Sequence, residues 1–388
     1  MSRRRAFLTV VTQNHLHFAW SLMASIRDAH PDTERFVVLI DRPAEWPDQD
    51  GFARYLSPDS FAIPRIRRFL FHYSAFELSC AIKPFAFEHV ISLGFSEVVY
   101  LDSDICVYSS LDPIFEALKN HQILLTPHVT SPLPKDGLTP SLEDLRKAGT
   151  YNAGFLAMGT SDPQHLFLQW WKSLCYTDCI VDIAAGIHVD QGWLDFVPSL
   201  FEGVHIVSRP GWNVGYWNCG TDSISRCDQE LWRSGNSNLL FFHFSGFDPE
   251  IPDVLSKHQN RFSLIDQPHL RQLLEDYSTR LDTFGRQEFE KCCYGYSTLG
   301  DGTPIRPVWR EVIRTNHPLL ADVEDPFETT VNMDLKSRFR RASLSVCEAR
   351  MDWKIQAEAQ LDKLFQLPPI LGKIYLWLRR SLLIWLRR

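Results

Sequence analysis

Asp102, Ser103 and Asp104 follow directly on an apolar run, in the string EVVYLDSDICV. Two carboxylates one residue apart can direct oxygens to a single hard cation, or one oxygen to the cation and one to a ligand hydroxyl. Mg2+ and Mn2+ favour such sites, taking few protein carboxylates and completing their shell with ligand phosphates. Taken alone, Asp-x-Asp is a common surface turn. Between VVYL and ICV, however, both charges are costly to place unless they are paired or metal-bound. His243 closes a second apolar run, Leu239–His243, with Gly246 three residues on. A histidine there is often a hydrogen-bonded core residue. As a ligand, its neutral imidazole suits Mn2+ better than Mg2+, and Gly246 would let backbone approach a phosphate.

Elements that could position these residues recur along the first two thirds of the chain. Candidate strands are Ala6–Val11, Phe36–Ile40, Glu97–Leu101, Ile123–Thr126, Gly154–Met158, His205–Val207 and Leu239–His243. Helical spacing is expected over Phe18–Ile26, over Phe76–Leu93 (which contains Lys83) and over His269–Tyr277. Strands apolar on both faces, alternating with helices, predict an α/β fold with a mixed, mostly parallel sheet flanked by helices. In open sheets of this class ligands bind beyond the carboxyl ends of the strands, where Asp102 and Asp104 lie.

The composition of the 388 residues, 45% hydrophobic and 22% charged, excludes a disordered chain. The formal charge of −7 is unevenly spread. Lys336–Arg388 holds 12 basic and 4 acidic residues, which leaves a net −15 on the other 335. An acidic body argues against nucleic acid as a partner, and a basic tail favours a membrane surface. The apolar stretch after Arg3-Arg4-Arg5 is broken at Thr9, too short for a secretory h-region, and no run approaches a membrane span. The nine cysteines are irregularly spaced, with neither a zinc pair nor a disulfide framework, as expected of reduced thiols in a cytoplasmic protein.

Jointly, VVTQNH near residue 10, Lys83, YLDSD, YNAGF at Tyr151–Phe155, HVDQGWL at His188–Leu194, RPGWNVGYWN at Arg209–Asn218 and FFHFSG resemble the GT-A glycosyltransferases of the retaining family 8 type. The resemblance covers about 250 residues and is nearest to a bacterial group that makes surface polysaccharide or lipopolysaccharide. It implies a Rossmann-like nucleotide-diphospho-sugar transferase fold with a helical C-terminal extension. It also implies a nucleotide-sugar donor, a glycan or lipid-linked acceptor, and Mn2+ or Mg2+ as cofactor. Carried over residue by residue, Asp102, Asp104 and His243 become the metal ligands, and Ser103 falls with the donor-binding residues. Thr12 and Asn14 fall in the loop that cradles the nucleotide, and Lys83 where a basic residue contacts the donor. Asn152 and Ala153 line the donor sugar. Asp190 and Gln191 lie beneath the sugar ring as the catalytic pair, with Asn213 downstream. Gly246 matches the glycine of a His-x-x-Gly phosphate motif. The family pattern then has a lysine where this chain has Pro249, and Lys257 is the candidate to replace it. The bland alternatives are a helix cap for Asp190, turns for Asn152 and Asn213, packing for Trp170, Trp171 and Trp212, and a solvated charge for Lys83.

The resemblance points to retention, with front-face attack assisted by the leaving phosphate or a transient adduct with Asp190 or Gln191. The expected organisation is a catalytic domain over 1–250, a mostly helical extension over 251–345, and basic amphipathic helices over 346–388. The last segment, ILGKIYLWLRRSLLIWLRR, gathers its apolar residues on one broad arc and four basic residues opposite. That describes an interfacial helix, peripheral on the inner face of the cell membrane. A helix docked on the body or a homodimer contact is the other reading. Two other functions compete. A sugar nucleotidyltransferase would carry a Gly-rich, Arg/Lys-bearing loop after the first strand, which VVTQNHLHF lacks. A catalytically inactive glycan-binding or scaffold protein would not need Asp102, Asp104 and His243 together.

Overall fold

The computed structural model describes residues 3–42, 52–220, 223–227, 231–265, 267–329 and 334–364, with side chains to 350 in the last stretch. The chain divides into two compact units, Met1–Thr298 and Leu299–Arg388.

The first unit is built on a seven-stranded sheet. Its strands are β1 (Arg5–Val11), β2 (Glu34–Leu39), β3 (Arg54–Leu56), β4 (Glu97–Leu101), β6 (Ile123–Pro127), β7 (Tyr151–Gly159) and β8 (Val204–Ile206), in the order β8-β6-β7-β4-β1-β2-β3. Every neighbouring pair is parallel except the two that include β7, which runs against both β4 and β6. The apolar runs are buried on both faces, β4 at every residue, as a sheet covered by helices requires. The one buried charge in β4, Glu97, is paired with Arg3 at 2.8 Å and Arg5 at 3.1 Å, which offsets its loss of hydration. Helix α1 (Leu16–Ala29) buries Leu22, Met23 and Ile26 in the same core as Phe7 and Val99.

Between Ala75 and Ser92 the structure departs from the single expected helix. The segment forms α2 (Ala75–Ala81) and α3 (Lys83–Ser92), broken at Ile82. Pro84 is the reason: it has no N–H for a continuing helix and its ring clashes with the carbonyl four residues back, but it is well placed in the first turn of a new helix. A Ser74/Glu77 capping box starts α2. The break puts Lys83 at the first position of α3, with its side chain turned inward and 4% exposed, so it is not a solvated charge.

The expected strand Leu239–His243 is shorter, as β9 (Phe241–His243), and it lies outside the main sheet. It pairs antiparallel with β5 (Ile105–Val107), the strand that follows the Asp-Ser-Asp turn. The expected helix at His269–Tyr277 extends over Pro268–Thr283 and sits within the first unit, as does the boundary expected at residue 250. The second unit is mostly helical. Helix Pro307–Arg314 packs on the start of Leu335–Leu364, with Trp309 stacked on Phe339 at 4.9 Å and Arg350 bound to Glu311 at 2.7 Å. No helix among the described residues is long and apolar enough to cross a membrane. Ile370–Arg388 lies outside the described residues. All nine cysteines are free thiols.

Candidate metal and donor site

The Asp102-Ser103-Asp104 turn begins where β4 ends. Ile105 N–H donates to Asp102 O at 3.1 Å to close the turn, and the chain continues into β5. The register of β5 with β9 sets His243 opposite Ile105, and Phe244 N–H donates to Asp104 O at 2.9 Å. The histidine therefore arrives beside the carboxylates through strand pairing. Its Nε2 lies 3.0 Å from Asp104 Oδ1 and 3.8 Å from Asp102 Oδ2, and the three ligand atoms all fall within 4.8 Å of one another. The imidazole is 4% exposed, and the Asp104 and Asp102 carboxylates are 30% and 32% exposed. Burial disfavours the charged imidazole, but Asp104 and then Asp102 outweigh it and raise the His243 pKa. Burial would likewise raise that of Asp104, yet the His243 charge and hydrogen bond lower it on balance. Two oxygens and one imidazole nitrogen, converging from a wall with an open side, fit a divalent cation such as Mn2+ or Mg2+.

The reversed strand β7 brings the second set of residues. Because it runs against β4, its first residues, not its last, lie at the carboxyl edge. Asp102 N–H donates to Gly154 O at 2.8 Å. Gly154 has no side chain for a steric reason: a Cβ there would lie 2.3 Å from His243 Cε1. Gln191 Oε1 accepts from Ala153 N–H at 3.0 Å and its Nε2 donates to Ala148 O at 2.8 Å, so Gln191 ties this strand end to the loop before it. Asn152 Oδ1 accepts from Gly154 N–H and from Asn213 Nδ2, both at 3.0 Å, and Asn152 Nδ2 meets His128 Nε2 at 3.2 Å. Asn213 has φ +46°, a left-handed conformation that asparagine tolerates. It is thus both a turn residue and a buried donor, with a further bond to Thr126 Oγ1 at 2.8 Å.

Lys83 joins the two sets. Its Nζ lies 3.1 Å from Asp190 Oδ2, 3.1 Å from Ala153 O and 3.5 Å from Asp102 Oδ1. Burial works against its charge, but Asp102 and then Asp190 hold its pKa well above the ordinary lysine value. Asp190 is 1% exposed; burial raises its pKa against the opposing pull of Lys83. It makes no side-chain cap hydrogen bond to the 3-10 turn that follows, Gln191–Phe196.

Thr12 and Asn14 sit in the loop after β1, where Thr12 Oγ1 donates to Asn14 Oδ1 at 2.6 Å. Trp171 and Trp212 are buried packing residues, Trp212 edge-on to Phe155. Lys257 stands apart from the carboxylate cluster. Its N–H donates to Gly246 O at 2.9 Å, while its side chain is exposed along a neighbouring cleft. Three contributors were given no role from sequence. Tyr100 donates to Asp102 Oδ1 at 2.6 Å, and its hydroxyl-bearing side chain two residues before Asp102 in YLDSD was the available signal. Asp41 accepts from the N–H groups of Gln13, Arg42 and Gly295 at 3.0, 2.8 and 2.7 Å and so fixes the first loop. His128 follows directly on the expected strand Ile123–Thr126, and that place at a strand end was the available signal.

No protein-family model matches the chain. Among curated proteins it is similar to YfnF of Bacillus subtilis (strain 168), an uncharacterized protein, at 27% identity over 283 residues, which cover 70% of this chain and 90% of the relative. It is also similar to YfnD of the same organism, likewise uncharacterized, at 23% over 252 residues, 62% and 77% of the two chains. Similar solved structures include the galactosyltransferase LgtC with donor and acceptor sugar analogues, at 17% identity and TM-score 0.39, over 70% of this chain and 95% of that one. Others are the glycosyltransferase GlyE of Streptococcus pneumoniae TIGR4 (15%, TM-score 0.38, 75% and 66%) and mouse xyloside xylosyltransferase 1 (12%, TM-score 0.36, 62% and 97%). The chain's own sheet is mixed, mostly parallel and flanked by helices.

Proposed function

We propose that the protein is a metal-dependent glycosyltransferase that moves a sugar from a nucleotide-diphosphate-sugar to a glycan or lipid-linked acceptor. The observation that carries this reading is the convergence of Asp102, Asp104 and His243 Nε2 at the carboxyl edge of a buried parallel strand, the edge where such sheets bind ligands. A divalent cation held by these three would neutralise charge developing on the leaving diphosphate. The chain's own side chains supply orientation and a dry floor. Tyr100 and Lys83 hold Asp102 by one oxygen, leaving the other toward His243. Gln191 and Asn213 fix Ala153 and Asn152 as a rigid wall for the donor sugar. Asp190, buried against Lys83, is the carboxylate assigned beneath the sugar ring, and backbone N–H at Gly246 is assigned to the phosphates.

We assign catalysis to residues 1–250 and retention of anomeric configuration to the reaction, with Asp190 and Gln191 on the face opposite the leaving group. The basic segment Lys336–Arg388 supports a place at the inner face of a bacterial membrane, in surface-polysaccharide synthesis. Deleting Ile370–Arg388 should then release the protein from anionic vesicles while sparing transfer to a soluble acceptor.

The test is a panel of nucleotide-sugars against the full chain, with and without Mn2+, read by thermal shift and by donor hydrolysis. Metal-dependent stabilisation by one donor, lost in Asp104→Ala, is expected. Stabilisation by none, or equal stabilisation in the variant, would remove the assignment. The anomeric configuration of the product by NMR decides between retention and inversion.

A further inference from the structure

Resting on that reading, we propose that His258 donates a hydrogen bond to the diphosphate of the donor, taking the place of the lysine that the sequence lacks at Pro249. The structural ground is how the chain returns to Gly246. Residues Ser256–Arg261 fold back over it, and Gly246, at φ +70°, is packed so closely that a Cβ would lie 2.4 Å from His258 Cδ2 and 2.9 Å from His258 Nε2. The Nε2 edge of the ring thus shares the space next to Gly246, the residue assigned to phosphate; burial and then Lys257 hold its pKa below the ordinary histidine value against a smaller opposing pull from Asp104. Neither ring nitrogen has a hydrogen-bond partner among the described residues, and the side chain is exposed. The donor face is therefore free for a ligand.

Lys257, the residue expected from sequence, and His258 both line a cleft of about 530 Å3 with Asp144 and Tyr216, but Lys257 meets Gly246 only through its backbone N–H, whereas His258 brings its ring there. His258 is also held more firmly than an isolated loop residue. Its N–H donates to Ser256 Oγ at 3.1 Å, and its ring packs against Tyr216 at 5.8 Å. Arg261, 7% exposed, donates to Pro140 O at 2.7 Å and to both Asp136 oxygens at 2.8 and 3.0 Å. Asn260 and Thr139 exchange bonds at 2.9 and 2.7 Å. An imidazole preset in this way loses little freedom on meeting an anion, and a diphosphate beside it favours its charged form, which makes the hydrogen bond a strong one.

Calorimetric titration of the full chain with UDP, GDP and ADP, each with MnCl2 and each beside its monophosphate, tests the assignment. In wild type one diphosphate should bind more tightly than its monophosphate. His258→Ala should weaken that diphosphate by about tenfold and leave the monophosphate nearly unchanged, His258→Lys should recover most of the loss, and Lys257→Ala should have little effect. Unchanged diphosphate binding in His258→Ala, with binding abolished in Asp102→Asn, overturns the inference and leaves the metal site standing. Equal weakening of both nucleotides, or a selective loss in Lys257→Ala instead, also overturns it. If no diphosphate binds the wild type with Mn2+, the glycosyltransferase reading and this inference fall together.

Discussion

Along the carboxyl edge of the sheet, Asp102 belongs to two polar clusters built in opposite ways. Toward His243 the carboxylates keep about a third of their surface in water, and their oxygens converge with one imidazole nitrogen and no fixed cation. Toward Asp190 the charges are closed in: Lys83 is 4% and Asp190 1% exposed, and the ammonium is shared among two carboxylates and a backbone carbonyl. Both clusters concentrate charge in an apolar frame, yet only the first leaves room for an incoming ion. The second already contains its cation. A closed pair of this kind is weak evidence for stability in itself, because desolvation absorbs most of the attraction, but it is strongly sensitive to losing one partner. The contrast separates an open cluster able to take up an ion from a closed one whose charges already neutralise each other, and each side responds to mutation in its own way.

The largest effect should come from the open side. Asp104→Ala should cut Mn2+-dependent donor hydrolysis by about a thousandfold or more while the urea midpoint stays within a small margin of wild type. A large loss of stability with residual metal response would erase the contrast. On the closed side the pattern should reverse. Lys83→Met leaves Asp190 buried and unpaired and should cost about 3–5 kcal/mol in urea unfolding. Adding Asp190→Leu should recover most of that stability without recovering turnover; failure to recover would mean that the pair does more than neutralise itself.

Gly154→Ala probes the seam between the two clusters. The new methyl would meet His243 Cε1 at 2.3 Å, so the ring or the strand must shift. Mn2+ affinity by calorimetry should fall by about 10–100-fold, with a smaller loss of stability. Unaltered affinity would show that His243 is not held where a ligand needs it. Acid titration reaches the buried histidines on both sides without any mutation. His17 and His128, both buried, are held down to about 4, chiefly by burial, against 6.5 in the unfolded chain. Between those values the unfolded chain binds more protons, so this contribution is complete above pH 6.5 and is lost as pH falls, by at most about 1.4 kcal/mol per pH unit per histidine. His243, with its raised value, has the opposite sign: its contribution is full below pH 6.5 and is lost as pH rises through the folded value. Urea midpoints of metal-free protein at pH 5, 6, 7 and 8 should therefore pass through a maximum, and His128→Gln should flatten only the acid limb.

Much of this site was legible because chemistry and strand pattern coincide in YLDSD and FFHFSG. The apolar runs set the strands, strand ends set the edge, and the polar residues at those ends are the ones brought together. Thr12, Lys83, Asn152, Asp190 and Gln191 entered through resemblance, and their contacts depend on packing that local pattern does not encode. The break at Ile82 was signalled by Pro84 but was overridden by the apolar spacing on both sides of it. Leu239–His243 looked like one more sheet strand because an apolar run does not name its partner; only register with Ile105–Val107 makes it a separate ribbon. His258 was illegible because its position depends on a fold-back anchored more than a hundred residues away, through Arg261 and Asp136.

The direction of β7 has one more effect. From β1 to β6 each successive strand of the sheet runs the same way, so the chain must leave one rim and re-enter from the other. Between β6 and β7 it does not: Pro127 is paired with Tyr151, so residues 128–150 leave and rejoin the sheet at the same rim, above the carboxylates. That stretch behaves as a cassette with adjacent ends. No strand crossing sets its length, yet His128, Asp136, Thr139 and Ala148 tie it to Asn152, Arg261, Asn260 and Gln191, so a change in its length between those anchors would reach the site's rim before it reached the sheet.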